Sequence, residues 1–183
     1  MHDVPSILQM PTGNRWDSRQ ALGCEEASIL MTYAWATGKN FTPAEAEREI
    51  TAMADFEKTV MFGFHQDTGA ADTAKLMREY YGYANVEVRR GISTRHIHEA
   101  LQSGAVVIVP LDTRKLVGKK GVSRHTVAVT GYDEARKEFI INDPLARNPI
   151  RAKESSLRRA LRDYRSGIRG VLLASSAMIV IHK

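Results

Sequence analysis

The chain has 183 residues, of which 43% are hydrophobic and 26% are charged, and its formal net charge is +5. This balance is typical of globular proteins and excludes an intrinsically disordered chain. No stretch approaches the roughly 18 consecutive apolar residues that a membrane-spanning helix requires. The length and the even composition predict one domain over residues 1–183 with a single core.

The first residues of the sequence, 1–5, lack the apolar segment of a secretory signal peptide. We therefore expect a soluble chain without a membrane span. Its location stays open, since the targeting segment of an exported form would lie outside this sequence. The residue pattern indicates no oligomeric state.

The leader, residues 1–23, is rich in Pro, Gly, Asn and Asp and shows no sustained period. It is predicted to be irregular, with one short strand at 4–9. From Cys24 onward, apolar residues recur at helical spacing until Gly38, where a helix would stop. The pattern therefore predicts a helix from Cys24 to about Thr37, with Cys24 at its N-terminus.

Three further helices are predicted between residues 42 and 102. Thr42, followed by a proline and by a glutamate three residues on, opens the first of them. Asp67 or Thr68 opens the second, and the third is short. Their predicted spans are about 42–54, 68–82 and 93–102.

Strands dominate the remainder of the sequence. Residues 105–111 form a continuous apolar run, which is typical of a buried strand. The segments 126–131 and 138–142 flank a polar, turn-like stretch and predict a β-hairpin. Residues 155–166 favour a helix, and 177–181 favour a last strand. Helices first and an antiparallel sheet second predict an α+β fold, with the N-terminal helices packed on the sheet.

Cys24 is the single cysteine, which excludes an internal disulfide and a thiolate-rich zinc cluster. A helix N-terminus lowers the pKa of a thiol, because unpaired backbone N–H groups and the helix dipole favour the thiolate. Cys24 is therefore a candidate nucleophile. Its position alone is equally compatible with a small buried hydrophobic residue that happens to begin a helix.

A nucleophile needs a base and a group that orients the base, and the predicted hairpin supplies both. His125 precedes its first strand and Asp143 follows its second. Symmetrical pairing about Glu134 would set these two residues opposite each other and on one face of the sheet. A bulge would change the register and make Asn142 the competing orienter. We favour Asp143, although Asn, Asp and Pro also suit a simple turn here.

Three segments resemble the C39-like peptidase domain of bacteria: Gly23-Cys24-Glu25-Glu26-Ala27-Ser28, the stretch from Arg124-His125-Thr126-Val127 to Gly131-Tyr132-Asp133, and Asn142-Asp143-Pro144. The resemblance implies a papain-like cysteine peptidase fold. It also implies a thiol protease in which Cys24, His125 and Asp143 act as a triad and an acyl-enzyme forms.

Members of this family carry a glutamine before the nucleophile, whose amide helps to bind the oxyanion of the tetrahedral intermediate. The resemblance implies that Gln9 has this role, because it matches the family's leader position best. Gln20 is the competitor.

The expected partner is a peptide or protein substrate, whose sequence the pattern does not reveal. Two alternatives remain: a non-catalytic peptide-binding module of the same fold, and a related acyl-transfer enzyme such as a transpeptidase or deamidase. We assign no metal and no cofactor, since His96 and His98 do not face each other on their predicted helix. We also expect no nucleic-acid partner, because the arginines around 147–169 lack aromatic interleaving or a recognition motif.

Overall fold

The computed structural model describes residues 2–61, 68–118, 121–163 and 176–183. The helices in these ranges are α1 (Ser18–Ala21), α2 (Cys24–Thr37), α3 (Pro43–Phe56), which continues into a π-helical turn (Glu57–Met61), α4 (Ala70–Tyr81), α5 (Thr94–Gln102), α6 (Arg114–Val117) and α7 (Glu154–Ala160). The strands are β1 (Val86–Arg90), β2 (Val106–Leu111), β3 (His125–Asp133), β4 (Glu138–Asn142), β5 (Ile150–Lys153) and β6 (Ala177–Ile181).

The strands form one six-stranded sheet in the order β1-β6-β2-β3-β4-β5. Every neighbouring pair is antiparallel. Within the described ranges, no helix combines the length and the hydropathy of a membrane span. The architecture is α+β, as the sequence predicts.

Helices cover both faces of the sheet. The leader and α2 to α4 share one apolar cluster with Val106 and Ile108 of β2. On the other face, α5 and α7 share a second cluster with Val107, Val109 and Leu111. Successive side chains of a strand point to opposite faces, so a strand covered on both sides is apolar throughout. This explains the uninterrupted hydrophobic run of β2.

Helix α2, which begins at Cys24, is surrounded by protein. Every residue from Cys24 to Trp35 is buried, because the helix packs between the sheet and α3 and α4. It ends at Gly38, whose φ of 73° lies in the left-handed region that glycine adopts without steric cost. The predicted boundaries of this helix are confirmed.

The predicted strand at 4–9 is wrong. This part of the leader is irregular, because its backbone groups bind separate partners instead of one neighbouring strand. The N–H of His2 donates to Thr130, and that of Gln9 donates to Pro144. The leader also contains α1, which the sequence analysis does not predict and which Asp17 caps by accepting from the N–H of Arg19.

Two helix termini also differ from the prediction. The N-cap of α4 is Gly69 instead of Thr68, while Asp67 lies outside the described residues. The helix expected at 155–166 ends at Ala160, because Leu161 forms a bridge with Leu111 at the end of β2. Residues 164–166 lie outside the described ranges.

The hairpin of β3 and β4 has a different register from the symmetrical one predicted about Glu134. Ala128 faces Asn142, and an irregularity between Val129 and Gly131 inserts one extra residue into β3. Continued beyond Ala128, this register places Asp143 opposite residue 127 instead of His125. The two residues are then diagonal neighbours on one face, within reach of their side chains.

Candidate active site

Cys24 is the first residue of α2, directly after the N-cap Gly23. A Cβ atom at position 23 would lie 2.8 Å from the carbonyl oxygen of Arg19 and 3.0 Å from a methyl carbon of Ile50. Real Cβ atoms do not approach backbone oxygen so closely. Glycine therefore allows the leader and α3 to pack against the start of the helix, and this fixes the position of Cys24.

The Cys24 side chain is only 4% exposed, and its sulfur has a carboxylate neighbour. The Sγ–H group donates to Oε2 of Glu25 at 3.0 Å. The other oxygen of Glu25 accepts from the backbone N–H of Thr68 at 2.8 Å. Glu25 thus links Cys24 to the segment that precedes α4.

His125 begins β3 and is 2% exposed. Its Nε2 atom lies 2.6 Å from Oδ1 of Asp143. An ionised carboxylate can only accept hydrogen bonds. Nε2 of His125 therefore carries a hydrogen and donates a hydrogen bond to Asp143. In the neutral ring the lone pair is then on Nδ1, which is the nitrogen available to act as a base.

The environment keeps Asp143 ionised. Burial favours its neutral form, but the hydrogen bond and the charge of His125, together with the N–H of Leu145, outweigh that effect, and the pKa of Asp143 falls below its ordinary value. The Leu145 N–H donates to the same oxygen, Oδ1, at 2.8 Å. The carboxylate is therefore fixed by two donors and can hold the imidazole in one orientation.

A direct hydrogen bond joins the helix of the cysteine to the strand of the histidine. The Ser28 hydroxyl, one turn after Cys24, donates to the buried carbonyl of Thr126 at 3.1 Å. Thr126 is the neighbour of His125 in β3. The contact restrains the distance between the two halves of the site.

The two candidate glutamines occupy different places. Gln9 lines the same cleft as Cys24, and its Nε2 donates to the carbonyls of Gln20 at 3.0 Å and Ala21 at 2.8 Å. Gln20 is fully buried, and its Nε2 donates to Glu47 of α3 at 2.7 Å. Only Gln9 belongs to the cleft residues, while Gln20 is directed towards α3.

Asn142, the competing orienter, forms no hydrogen bond with His125 among the described residues. Its Nδ2 donates to the carbonyl of Val4 at 2.9 Å, and its Oδ1 accepts from the Thr130 hydroxyl at 3.3 Å. Asn142 therefore attaches the leader to the sheet, and the carboxylate at the imidazole belongs to Asp143.

An open cleft of about 490 Å³ brings these groups together. We call its buried residues the cleft floor, which consists of Gln9, Cys24 and His125. We call its exposed arginines and its exposed large apolar residues the cleft rim, which consists of Arg15, Leu22, Val122, Arg124 and Leu145. Met10, Ala21 and Ser123 complete the lining.

A sequence model of the Peptidase_C39 like family matches residues 1–165, a range that contains the whole cleft. The chain belongs to this family. The resemblance found in the sequence is thereby confirmed. No curated protein matches the chain.

Two solved structures share the fold of this Peptidase_C39 like chain. A Bacillus anthracis protein assigned as a C39-like peptidase is 15% identical, with a TM-score of 0.62 over 100% of this chain and 96% of that one. The peptidase domain of Streptococcus ComA, a bifunctional ABC transporter involved in a quorum-sensing pathway, is 16% identical, with a TM-score of 0.51 over 98% and 97%. The predicted α+β fold of a C39-like peptidase is confirmed.

The two histidines discounted as metal ligands have separate partners in this family member. His96 accepts from the backbone N–H of Ser93 at the start of α5, and His98 contacts Glu134 at 2.7 Å. No cluster of three or more potential metal-ligating side chains occurs in the part of the chain that the structure describes.

Glu25 and the two rim arginines have no role predicted from the sequence. Acidic residues commonly stabilise the first turn of a helix. This general preference explains a glutamate at position 25, so the sequence does not indicate that Glu25 contacts the thiol. Arg15 and Arg124 are 109 positions apart (124 minus 15) and meet at the cleft only in the folded chain. No local sequence signal identifies such a pair.

Proposed function

We propose that the chain is a cysteine peptidase that hydrolyses peptide bonds through Cys24, His125 and Asp143. The observation that carries the proposal is the contact of 2.6 Å between Nε2 of His125 and Asp143, in a cleft that His125 shares with the only cysteine. It leaves Nδ1 of His125 as the base for a thiol at a helix N-terminus. Membership of the Peptidase_C39 like family supports the same chemistry.

The reaction begins with transfer of the Cys24 proton to Nδ1 of His125, which gives a thiolate and an imidazolium that Asp143 aligns. The sulfur attacks the peptide carbonyl carbon, and the carbonyl oxygen becomes an oxyanion. When the intermediate collapses, Nδ1 returns its proton to the leaving amine and an S-acyl enzyme remains. A water molecule then gives a proton to Nδ1 and attacks the acyl carbon, which releases the acid product and restores the ion pair.

The oxyanion is stabilised by the backbone N–H of Cys24 and by the amide of Gln9. In the structure both Nε2 contacts of Gln9 are with the carbonyls of Gln20 and Ala21. Gln9 therefore has to exchange one of these carbonyls for the oxyanion during the reaction. Its Oε1 has no hydrogen-bond partner among the described residues, so the side-chain hydrogen bonds of Gln9 are the two that Nε2 donates.

The pH dependence of Cys24 alkylation by iodoacetamide tests this function. In the parent protein we expect reactivity to persist well below the free-thiol pKa of about 8.5, because the imidazolium stabilises the thiolate. His125→Ala should lose that low-pH reactivity. His98→Ala is the matched control, since His98 contacts Glu134 and is not a cleft residue.

Peptide cleavage gives the second readout. A mixed peptide library is digested and its products are identified by mass spectrometry, which separates hydrolysis from transfer to another nucleophile. We expect His125→Ala to reduce kcat/KM by about 10²- to 10⁴-fold, the usual contribution of a general acid–base group. An alkylation profile that follows an ordinary thiol pKa in all three proteins would remove the Cys–His pair from consideration.

One observation favours a second function, a non-catalytic peptide-binding module. The Cys24 thiol donates a hydrogen bond to Glu25 at 3.0 Å, and this contact stabilises the thiol over the thiolate. In that case peptides bind to the cleft but are recovered intact, and Cys24 alkylation does not respond to His125→Ala.

A further inference from the structure

The carboxylates of Glu25 and Asp143 contact Cys24 and His125, but the residues that line the cleft carry only positive formal charge. Two arginines, Arg15 and Arg124, line it, and no aspartate or glutamate is among its lining residues. Arg15 belongs to the leader, whereas Arg124 directly precedes His125. Both side chains are exposed, so the guanidinium groups are accessible to a molecule that enters the cleft.

Some arginines elsewhere on the surface have acidic partners. Arg89 contacts Glu87 at 2.7 Å, and Arg95 contacts Glu99 at 2.7 Å. Arg15, in contrast, forms no ion pair with any residue that the structure describes. Its charge is therefore available at the cleft rim.

The rest of the cleft rim is apolar. Leu22, Val122 and Leu145 are 40%, 39% and 46% exposed, and all three line the cleft. They are half of the large exposed hydrophobic side chains in the described residues, which also include Trp16, Val60 and Val117. Exposed apolar side chains that gather at one cleft indicate a binding surface.

We propose that the cleft selects peptides that carry an acidic side chain close to an apolar one at the reacting bond. This inference rests on the proposed peptidase function and adds its substrate class. Leu22, Val122 and Leu145 contact the apolar side chain, while Arg15 and Arg124 attract the carboxylate. Complementary charge at a rim raises specificity and association rate, and a basic peptide is repelled.

The first test uses two small reagents that attack the same sulfur. Alkylation rates of Cys24 by anionic iodoacetate and neutral iodoacetamide are measured, and their ratio is divided by the ratio for N-acetylcysteine amide. We expect this normalised ratio to fall by roughly two- to tenfold in the double variant Arg15→Gln/Arg124→Gln and to fall with added salt in the parent. Arg158→Gln, an exposed arginine of α7 outside the cleft, should leave the ratio unchanged.

The second test compares peptides that differ at one position. Leucine-containing octapeptides carry Glu, Gln or Lys at each position in turn, and kcat/KM is measured for the parent and for the double variant. We expect the order Glu, Gln, Lys near the cleaved bond, with a preference for Glu that decreases roughly two- to tenfold in the double variant.

The outcomes separate the two proposals. Cleavage without any charge preference, or a reagent ratio that ignores both arginines, overturns the acidic-substrate proposal and leaves the peptidase standing. Absence of cleavage, with an arginine-dependent reagent ratio, removes hydrolysis and keeps an acid-selective cleft. A short oligonucleotide is also tested for protection of Cys24 from alkylation. If it protects at a lower concentration than the best acidic peptide, the arginines bind nucleic acid and the proposal is wrong.

Discussion

The cleft floor and the cleft rim are adjacent but differ strongly in solvent exposure. No floor residue is more than 4% exposed, whereas the apolar rim residues are 39–46% exposed. The floor is held by buried contacts from the leader, α2 and the hairpin, and the rim faces solvent. Buried polar groups are costly to leave unpaired, while exposed ones are readily hydrated.

This difference in exposure suits the floor and the rim to different functions. In the floor, buried contacts hold Cys24 and His125 in one orientation, so these two residues are suited to chemistry. Rim residues can adapt to a ligand and are suited to selection. Substitution of a residue that holds the floor in place should therefore change kcat or stability. Substitution of a rim residue should change KM.

The largest effect is expected for Asp143→Asn. The amide lacks the charge that stabilises the imidazolium and no longer fixes the protonation of Nε2, so we expect kcat to fall by about 10²- to 10⁴-fold. Steady-state kinetics on a cleaved peptide measure this. Asp133→Asn, in the same hairpin but paired with Arg151, is the control and should retain parent activity. Equal losses in both variants would mean that the hairpin, and not the His125 contact, is responsible.

Gly23→Ala comes next. The added Cβ would lie 2.8 Å from the Arg19 carbonyl, so the start of α2 has to shift. We expect a loss of about 1–3 kcal/mol in the free energy of unfolding, with a decrease in kcat as Cys24 moves. Gly38→Ala at the other end of α2 is the control: its left-handed φ costs about 1 kcal/mol, but the site is untouched. Urea unfolding and kinetics on both variants decide whether position 23 matters for chemistry as well as stability.

The charge of Asp143 should also appear in the pH dependence of stability. Its folded pKa lies below the ordinary value of 3.8, so the folded state favours the carboxylate. The stabilisation, about 1.5 kcal/mol for a hydrogen bond to a charged group, is fully present above that ordinary value. It is lost as pH falls through the folded pKa. The difference in unfolding free energy between the parent and Asp143→Asn should therefore shrink below pH 3.8, and a difference that stays constant contradicts this account.

The smallest effect is expected at the rim. Leu145→Ala should raise KM a few-fold for a peptide with an apolar side chain. Leu145 is 46% exposed, so its side chain can contact the peptide only with its solvent-exposed part. The free energy of unfolding should change by no more than about 0.5 kcal/mol, as for most surface substitutions. A larger loss of stability, or a change in kcat alone, would show that the floor and the rim are not separable.

Local sequence signals account for much of this molecule. The spacing of apolar residues and the terminal glycine predict α2, and the capping pattern at Thr42 predicts α3, whose capping box is present. The continuous apolar run predicts β2. These elements are predictable because their determinants lie within a few residues of one another.

Features that depend on distant contacts are not predictable in this way. The hairpin register depends on an irregularity near Thr130 that no residue pattern marks. The contact between His125 and Asp143 nevertheless forms, because the actual displacement of two residues keeps both on one face. The thiol contact of Glu25 and the convergence of the rim arginines require the complete fold.

The attachment of the leader has a consequence for synthesis of the protein. The carbonyl of Val4 binds Asn142, 138 positions away, and the N–H of Gln9 binds Pro144. The leader therefore cannot dock until residues 142–144 have been synthesised. Contacts of such long sequence separation form late in folding. Cys24 is therefore synthesised well before His125 and Asp143, whose contact completes the cleft.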